Sequence, residues 1–242
     1  MDDFIRYYIC SNYTPLGSAV LALLGAFIMK FKKNLPSRFL NIKNYFIGYF
    51  FSTLGGAVCH VLKIKFAHFP IYIFVHLIDY VFTFFEFYVI ASFLKPDLST
   101  KLFRSGSIIF YTSSGILFCL GFLAKTNENY FYLQTIFNIQ AVIVSIFCFE
   151  YFKKFINLNP TQLQPSSFWI VTGISILMIG TLPFTLVSHH ILLLNHPYFD
   201  DLFTIVYALY MIMFSVLIIG IVSHKSGTNL KSQNFSFNQG SF

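Results

Sequence analysis

The chain has 242 residues; 56% are hydrophobic, only 10% are charged, and Phe alone accounts for 33. Ordinary soluble domains carry about 25% charged residues, so there is too little charge here to solvate a globular surface. The abundance of aromatic and aliphatic residues likewise excludes a disordered chain. Long apolar runs separated by short basic loops leave one class, an all-α polytopic membrane helix bundle.

A crossing helix needs about 20 apolar residues to span a hydrocarbon core of about 30 Å. Taken in order, the candidates are Tyr13–Phe31, Tyr45–Leu62, Pro70–Leu94, Ser105–Ala124, Tyr130–Phe152, Phe168–His189 and Leu202–Ser223. The second contains Gly55 and Gly56 and the sixth contains Pro183; both are tolerated where neighbouring helices re-satisfy the backbone. A β-barrel would alternate apolar and polar residues over segments of about ten, which these continuous runs do not. The first run follows Asp2, Asp3 and Arg6 without a basic leader region, so it is expected to be a retained span and not a signal peptide. Residues 1–223 are therefore expected to form a seven-helix transmembrane domain, and 224–242, rich in Ser, Asn and Gln, a polar, disordered cytoplasmic tail.

The basic residues set the orientation. Lys30, Lys32, Lys33, Arg38, Lys43, Lys95, Lys101, Arg104, Lys153, Lys154, Lys225 and Lys231 fall on one side, against Arg6, Lys63, Lys65 and Lys125 on the other. The Lys-rich side is cytoplasmic by the positive-inside rule, which puts the N-terminus outside and the C-terminus in the cytoplasm. The net charge of +7 then follows from topology. Its natural partner is the lipid bilayer with its anionic headgroups, and no nucleic-acid partner is expected, because no basic stripe lies on a soluble fold. Cys59, Cys119 and Cys148 fall inside spans without metal-type spacing and are read as packing residues.

Charged groups at membrane depth cost at least about 2.5–3.5 kcal/mol each, so each needs a reason. Glu150 precedes Lys153 and Lys154 and is expected to pair with them at helical spacing. The third span is different. His76, Asp79, Thr83 and Glu86 follow at steps of three, four and three, which puts all four on one helical stripe. Lipid cannot solvate that stripe, so it is expected to face the bundle interior, with His76 and Asp79 paired one turn apart. Asn138 on span five and Tyr207 on span seven are the expected partners, and these six residues form the predicted ligand- or proton-binding site. Gln134, Ser145, Thr204, Met211, Ser215, Ser52, Thr53, Thr172, Ser175 and Thr181 are read as helix contacts that together could line a polar cavity. No catalytic residue and no cofactor is expected. An alternative metal set would be His60, His76, Asp79 and His189.

Two stretches carry a resemblance: the third span with His76 and Glu86, and the sixth beginning PSSFWIVTGISILMIGTL at Pro165. They resemble a family of small uncharacterised seven- or eight-span membrane proteins of Bacteroidota, and the matching positions are His76, Glu86, Phe168, Trp169 and Gly173. The resemblance implies an inner-membrane location and a link to signalling. Ser52, His60 and Asp79 resemble the early part of the site of intramembrane hydrolases of the alkaline ceramidase and adiponectin-receptor type. That implies zinc chemistry, but span seven has no His pair and His189 and His190 are adjacent. The outside-N, inside-C topology also resembles that of three-plus-one-plus-three transporters, which implies a repeat between spans 1–3 and 5–7; span seven shows no counterpart of the His76–Glu86 stripe. The expectation is a non-enzymatic sensory or accessory component with a membrane signalling partner such as a histidine kinase. A small-solute transporter and a zinc-dependent hydrolase are the alternatives.

Overall fold

The computed structural model describes the backbone of residues 2–32, 35–65, 71–123, 126–157, 165–193 and 199–224. Among these residues seven long helices run α1 (Asp2–Phe31), α2 (Phe39–Lys65), α3 (Ile71–Leu94), α4 (Thr100–Leu123), α5 (Thr126–Ile156), α6 (Pro165–Leu193) and α7 (Phe199–Ser223), with a short 3₁₀ turn at Lys95–Asp97. Among the described residues there is no strand. Helices α3 to α7 each contain a stretch long and apolar enough to cross a membrane, and α1 contains a shorter one, Pro15–Phe31. Large apolar side chains such as Val20, Phe27, Ile109, Ile116, Phe149 and Val222 point outward, a surface that water would not tolerate and lipid would. The protein is a multi-pass membrane helix bundle. Helix α2 continues through Gly55 and Gly56, and α6 through Pro183. The tail from 225 onward lies outside the described residues.

The helices pack in a closed ring: α1 against α2, α2 against α3, α3 against α5, α5 against α6, α6 against α7, and α7 back against α1. Helix α4 stands outside it, against α5 with a lighter contact to α3. Its seat is aromatic, with the Phe110 ring 3.8 Å from that of Phe87 and Phe118 edge-on to Tyr80 at 5.0 Å. The ring maps onto itself when α1, α2 and α3 are exchanged for α5, α6 and α7. Some of the buried positions can be overlaid in this exchange, with a separate shift for each helix pair. Ser18, Ala19, Ala22, Ala26 and Met29 match Gln140, Ala141, Val144, Cys148 and Tyr151, all buried. Ile42, Phe46 and Tyr49 match Ile170, Ile174 and Leu177, and Thr83, Glu86, Phe87, Ile90 and Leu94 match Tyr210, Met213, Phe214, Leu217 and Ile221. Helix α4 lies in the chain between the two three-helix groups, and in this overlay Glu86 falls on Met213, so the stripe has no polar counterpart in α7.

The helix ends on the Lys-rich side are laced together across the two halves. Arg38, at the start of α2, meets the Asp97 carboxylate at 3.1 Å and also donates to the Ser167 hydroxyl of α6. Its guanidinium lies 5.6 Å from the Phe93 ring. Lys154 of α5 donates to the Asp97 carbonyl at 2.6 Å, and Lys32 to the Ile221 and Val222 carbonyls at 2.5 and 2.6 Å. These are the open carbonyls at the end of α7 that a cation satisfies best, and desolvation there lowers the Lys32 pKa. Lys154 therefore serves Asp97 and not Glu150, and no ion pair joins Glu150 to either lysine among the described residues; the expected pairing is replaced by a contact between helices. Arg38 and Asp97 are both partly exposed. A double-mutant cycle on Arg38→Ala and Asp97→Ala, read by unfolding in detergent, should give a coupling of about 0.5–1 kcal/mol that shrinks at high salt. A coupling of zero would mean that the pair only marks the helix ends.

Candidate functional site

The α3 stripe faces the interior of the ring. Accessibility falls along it, from His76 and Asp79, both half-buried, to Thr83 and then Glu86, which is 0% exposed. Glu86 sits where α2, α3, α5 and α7 converge. The Tyr45 hydroxyl of α2 donates to its Oε1 at 2.6 Å, and Gln140 Nε2 of α5 donates to its Oε2 at 2.6 Å. The Tyr210 hydroxyl of α7 completes the set at 3.4 Å on Oε1. Tyr45 also lies 3.9 Å from the Met213 sulfur, so one tyrosine touches both equivalent positions of the two halves. Aromatic rings close the floor: Tyr49 packs on Tyr210 at 4.8 Å and on Phe214 at 4.7 Å, while Ser18 of α1 shares a 2.8 Å hydrogen bond with the Tyr49 hydroxyl.

All three donors to Glu86 are neutral. From Lys65 to Lys95, from Lys125 to Lys153 and from Lys154 to Lys225 the chain contains no Lys or Arg; Lys43 lies two residues before Tyr45 on α2, but no ion pair joins it to Glu86 among the described residues. An ionised carboxylate accepts and cannot donate, whereas a protonated one needs an acceptor for its new hydrogen. Gln140 Oε1 is buried without a hydrogen-bond partner, which puts an unused acceptor beside the Glu86 carboxyl. Turning the Gln140 amide over would offer that oxygen to a protonated Glu86.

The remaining predicted residues divide. Thr83 returns its hydroxyl to the Asp79 carbonyl at 2.8 Å, closing onto its own helix. No hydrogen-bond donor reaches the Asp79 carboxyl among the described residues, Tyr207 of α7 included. His76 does not pair with Asp79; its Nδ1 is buried without a partner. Asn138 is not part of the Glu86 centre. It accepts from the Thr185 hydroxyl of α6, because two residues on a helix lie about 200° apart and Gln140 takes the inward face. Ser145, Thr172, Ser175, Thr181 and Ser215 each bond a carbonyl four residues earlier on their own helix. Of the alternative metal set, the side chains of His60 and His189 lie outside the described residues. Among the described residues no three of His, Cys, Asp and Glu gather as a metal would require.

Tyr45, Gln140 and Tyr210 were missed by sequence reasoning. Their one visible signal is that a buried carboxylate demands donors, and tyrosine is too frequent in this chain, at 15 residues, for that demand to select two. No family model, characterised protein or solved structure matches this chain.

Proposed function

We propose that this is a seven-crossing inner-membrane protein, N-terminus outside and C-terminus cytoplasmic, that acts as a sensory or accessory signalling component. Proton or ligand occupancy at the Glu86 centre shifts helix packing between two arrangements, and a membrane signalling partner such as a histidine kinase reads the shift. One observation carries this reading: donors from three separate helices converge on one fully buried carboxyl. A change in charge or ligation at that single group alters the contacts of four helices at once, which is the differential interaction a two-state switch needs. The lacing at the Lys-rich end supplies a second set of contacts through which such a shift could reach the cytoplasmic face.

Two measurements test it. In a background lacking Cys10, Cys59, Cys119 and Cys148, a cysteine introduced near the N-terminus should react with an impermeant maleimide on intact cells, and one introduced in the tail should not. Cross-linking to a kinase in native membranes should then differ at least about fivefold between the parent and Glu86→Gln, the lower range of an allosteric coupling. Equal yields reject the switch.

A second reading, a small-solute transporter of three-plus-one-plus-three type, is favoured by the exchange of contacts between α1–α3 and α5–α7 around an outlying α4. It predicts substrate-dependent flux in proteoliposomes that disappears when the Lys-rich end is cross-linked between α2 and α6.

A further inference from the structure

We infer that the Glu86 centre is a binding site for a monovalent metal cation, with sodium as the probe, that approaches from the Lys-poor end. The inference rests on Glu86 being the working group of the bundle, and it names the ligand.

The first argument is charge. A carboxylate buried in a low-dielectric interior needs a counter-charge or a proton, and among the described residues the partners of Glu86 are all neutral, with no ion pair to Lys or Arg. The second is the kind of atoms left over. Gln140 is 0% exposed, and its Oε1 has no partner although the amide is held by the 2.6 Å bond from Nε2 to Glu86. Amide and carboxylate oxygens are hard ligands that suit hard cations. The Tyr45 and Tyr210 hydroxyls keep lone pairs free while donating to Glu86, so oxygens from three side chains besides Glu86 lie at the centre. The third is stoichiometry. One carboxylate at this level balances one positive charge; Asp79 stands seven residues away along α3, about 10 Å, so a divalent ion would remain uncompensated. The fourth is approach. His76 and Asp79 are half-buried while Thr83 and Glu86 are buried, and the Asp79 carboxyl, with no hydrogen-bond donor on it among the described residues, is the acid of this stripe on the Lys-poor side of Glu86. The opposite end is crossed by the Arg38, Lys154 and Lys32 contacts.

Only the ionised carboxylate ligates a metal, so sodium must compete with protons. The titratable groups facing Glu86 are Tyr45 and Tyr49 from α2 and Tyr210 from α7, with Lys43 farther along α2 and Asp79 seven residues away on its own helix. Among the described residues α1, α5 and α6 add none at this level. The sodium effect should therefore be full at alkaline pH and fade as pH falls.

The experiment is thermal unfolding of the full chain in detergent, in sodium chloride against N-methyl-D-glucamine chloride at equal ionic strength, from pH 6 to 9. Sodium should raise Tm at pH 9 in a saturable way, with less gain at pH 6. Glu86→Gln should abolish the gain, Glu150→Gln should keep it, and Gln140→Leu, which retains the carboxyl, should weaken the sodium midpoint roughly tenfold or more, the equivalent of about 1.4 kcal/mol. Equal Tm in both salts at pH 9 overturns the site, as does a sodium response that survives Glu86→Gln or is untouched in Gln140→Leu. If Glu86→Gln does not fold, Gln140→Leu decides alone. A protein blind to sodium whose kinase cross-linking still changes in Glu86→Gln would overturn the cation and leave the proton-driven switch standing. A sodium response with unchanged cross-linking would do the reverse.

Discussion

Glu86→Ala should be among the most damaging single substitutions in the bundle, costing at least about 3 kcal/mol, because a buried donor left without an acceptor loses about 1–3 kcal/mol and Glu86 is the common acceptor of three. Interhelical hydrogen bonds in membrane proteins average only about 0.6 kcal/mol, so removing one donor is a different matter. Tyr210→Phe, which deletes only the 3.4 Å bond, should cost about that average. Glu86→Gln should fall between. Its carboxamide oxygen can still accept from Tyr45, while its amino group would oppose the Gln140 amino group unless Gln140 turns and presents the Oε1 that now has no partner. Unfolding by SDS titration from mild-detergent micelles ranks the three variants. If alanine costs no more than the Tyr210→Phe change, Glu86 is not the keystone of the ring.

The same residues show how far the sequence could be read. The helices, their order and the inward turn of the α3 stripe follow from hydropathy and from a spacing of three and four, which depend on local geometry alone. Glu86 was legible for that reason: a carboxylate in a long apolar run has nowhere to go but inward. Its partners were not, because which faces of α2, α5 and α7 meet α3 is decided by the closure of the ring, and hydropathy is blind to it. On α5 the polar positions Gln134, Asn138 and Gln140 look alike in sequence, yet only Gln140 meets Glu86, while Asn138 turns to Thr185. Asp97 is a similar case. It reads as an ordinary loop acid, but it joins α2, α5 and the end of α3 through Arg38 and Lys154. The exchange of helix contacts between α1–α3 and α5–α7 was not legible either, because the residues that overlay differ in type, Glu86 falling on Met213 and Ser18 on Gln140.

The α6–α7 crossing sets the second large effect. A Cβ on Gly220 would lie 2.8 Å from the Ser166 carbonyl oxygen, 3.0 Å from Trp169 Cβ and 3.1 Å from Ile170 Cγ1, and one on Gly173 would lie 3.2 Å from the Met213 carbonyl. Small residues that let two backbones approach this closely are the usual basis of tight packing in lipid, where no hydrophobic force drives helices together. Neither side of the Gly220 contact can yield by rotating a side chain, since the nearest atom belongs to a helix backbone. Gly48 is different: the atom that crowds it belongs to the Phe85 ring, which can swing away. Gly220→Ala should therefore cost about 1–3 kcal/mol. Gly220→Leu should exceed that range and separate α6 from α7, which also strips Lys32 from the carbonyls at the end of α7. Gly115→Ala on the outlying α4, where nothing lies within 4 Å, should be neutral or stabilising by up to about 1 kcal/mol through helix propensity. Unfolding measured on the three variants separates a packing contact from a propensity effect: if Gly220→Ala is as mild as Gly115→Ala, the two helices do not meet at Gly220, and the ring does not close through α6 and α7 at that point.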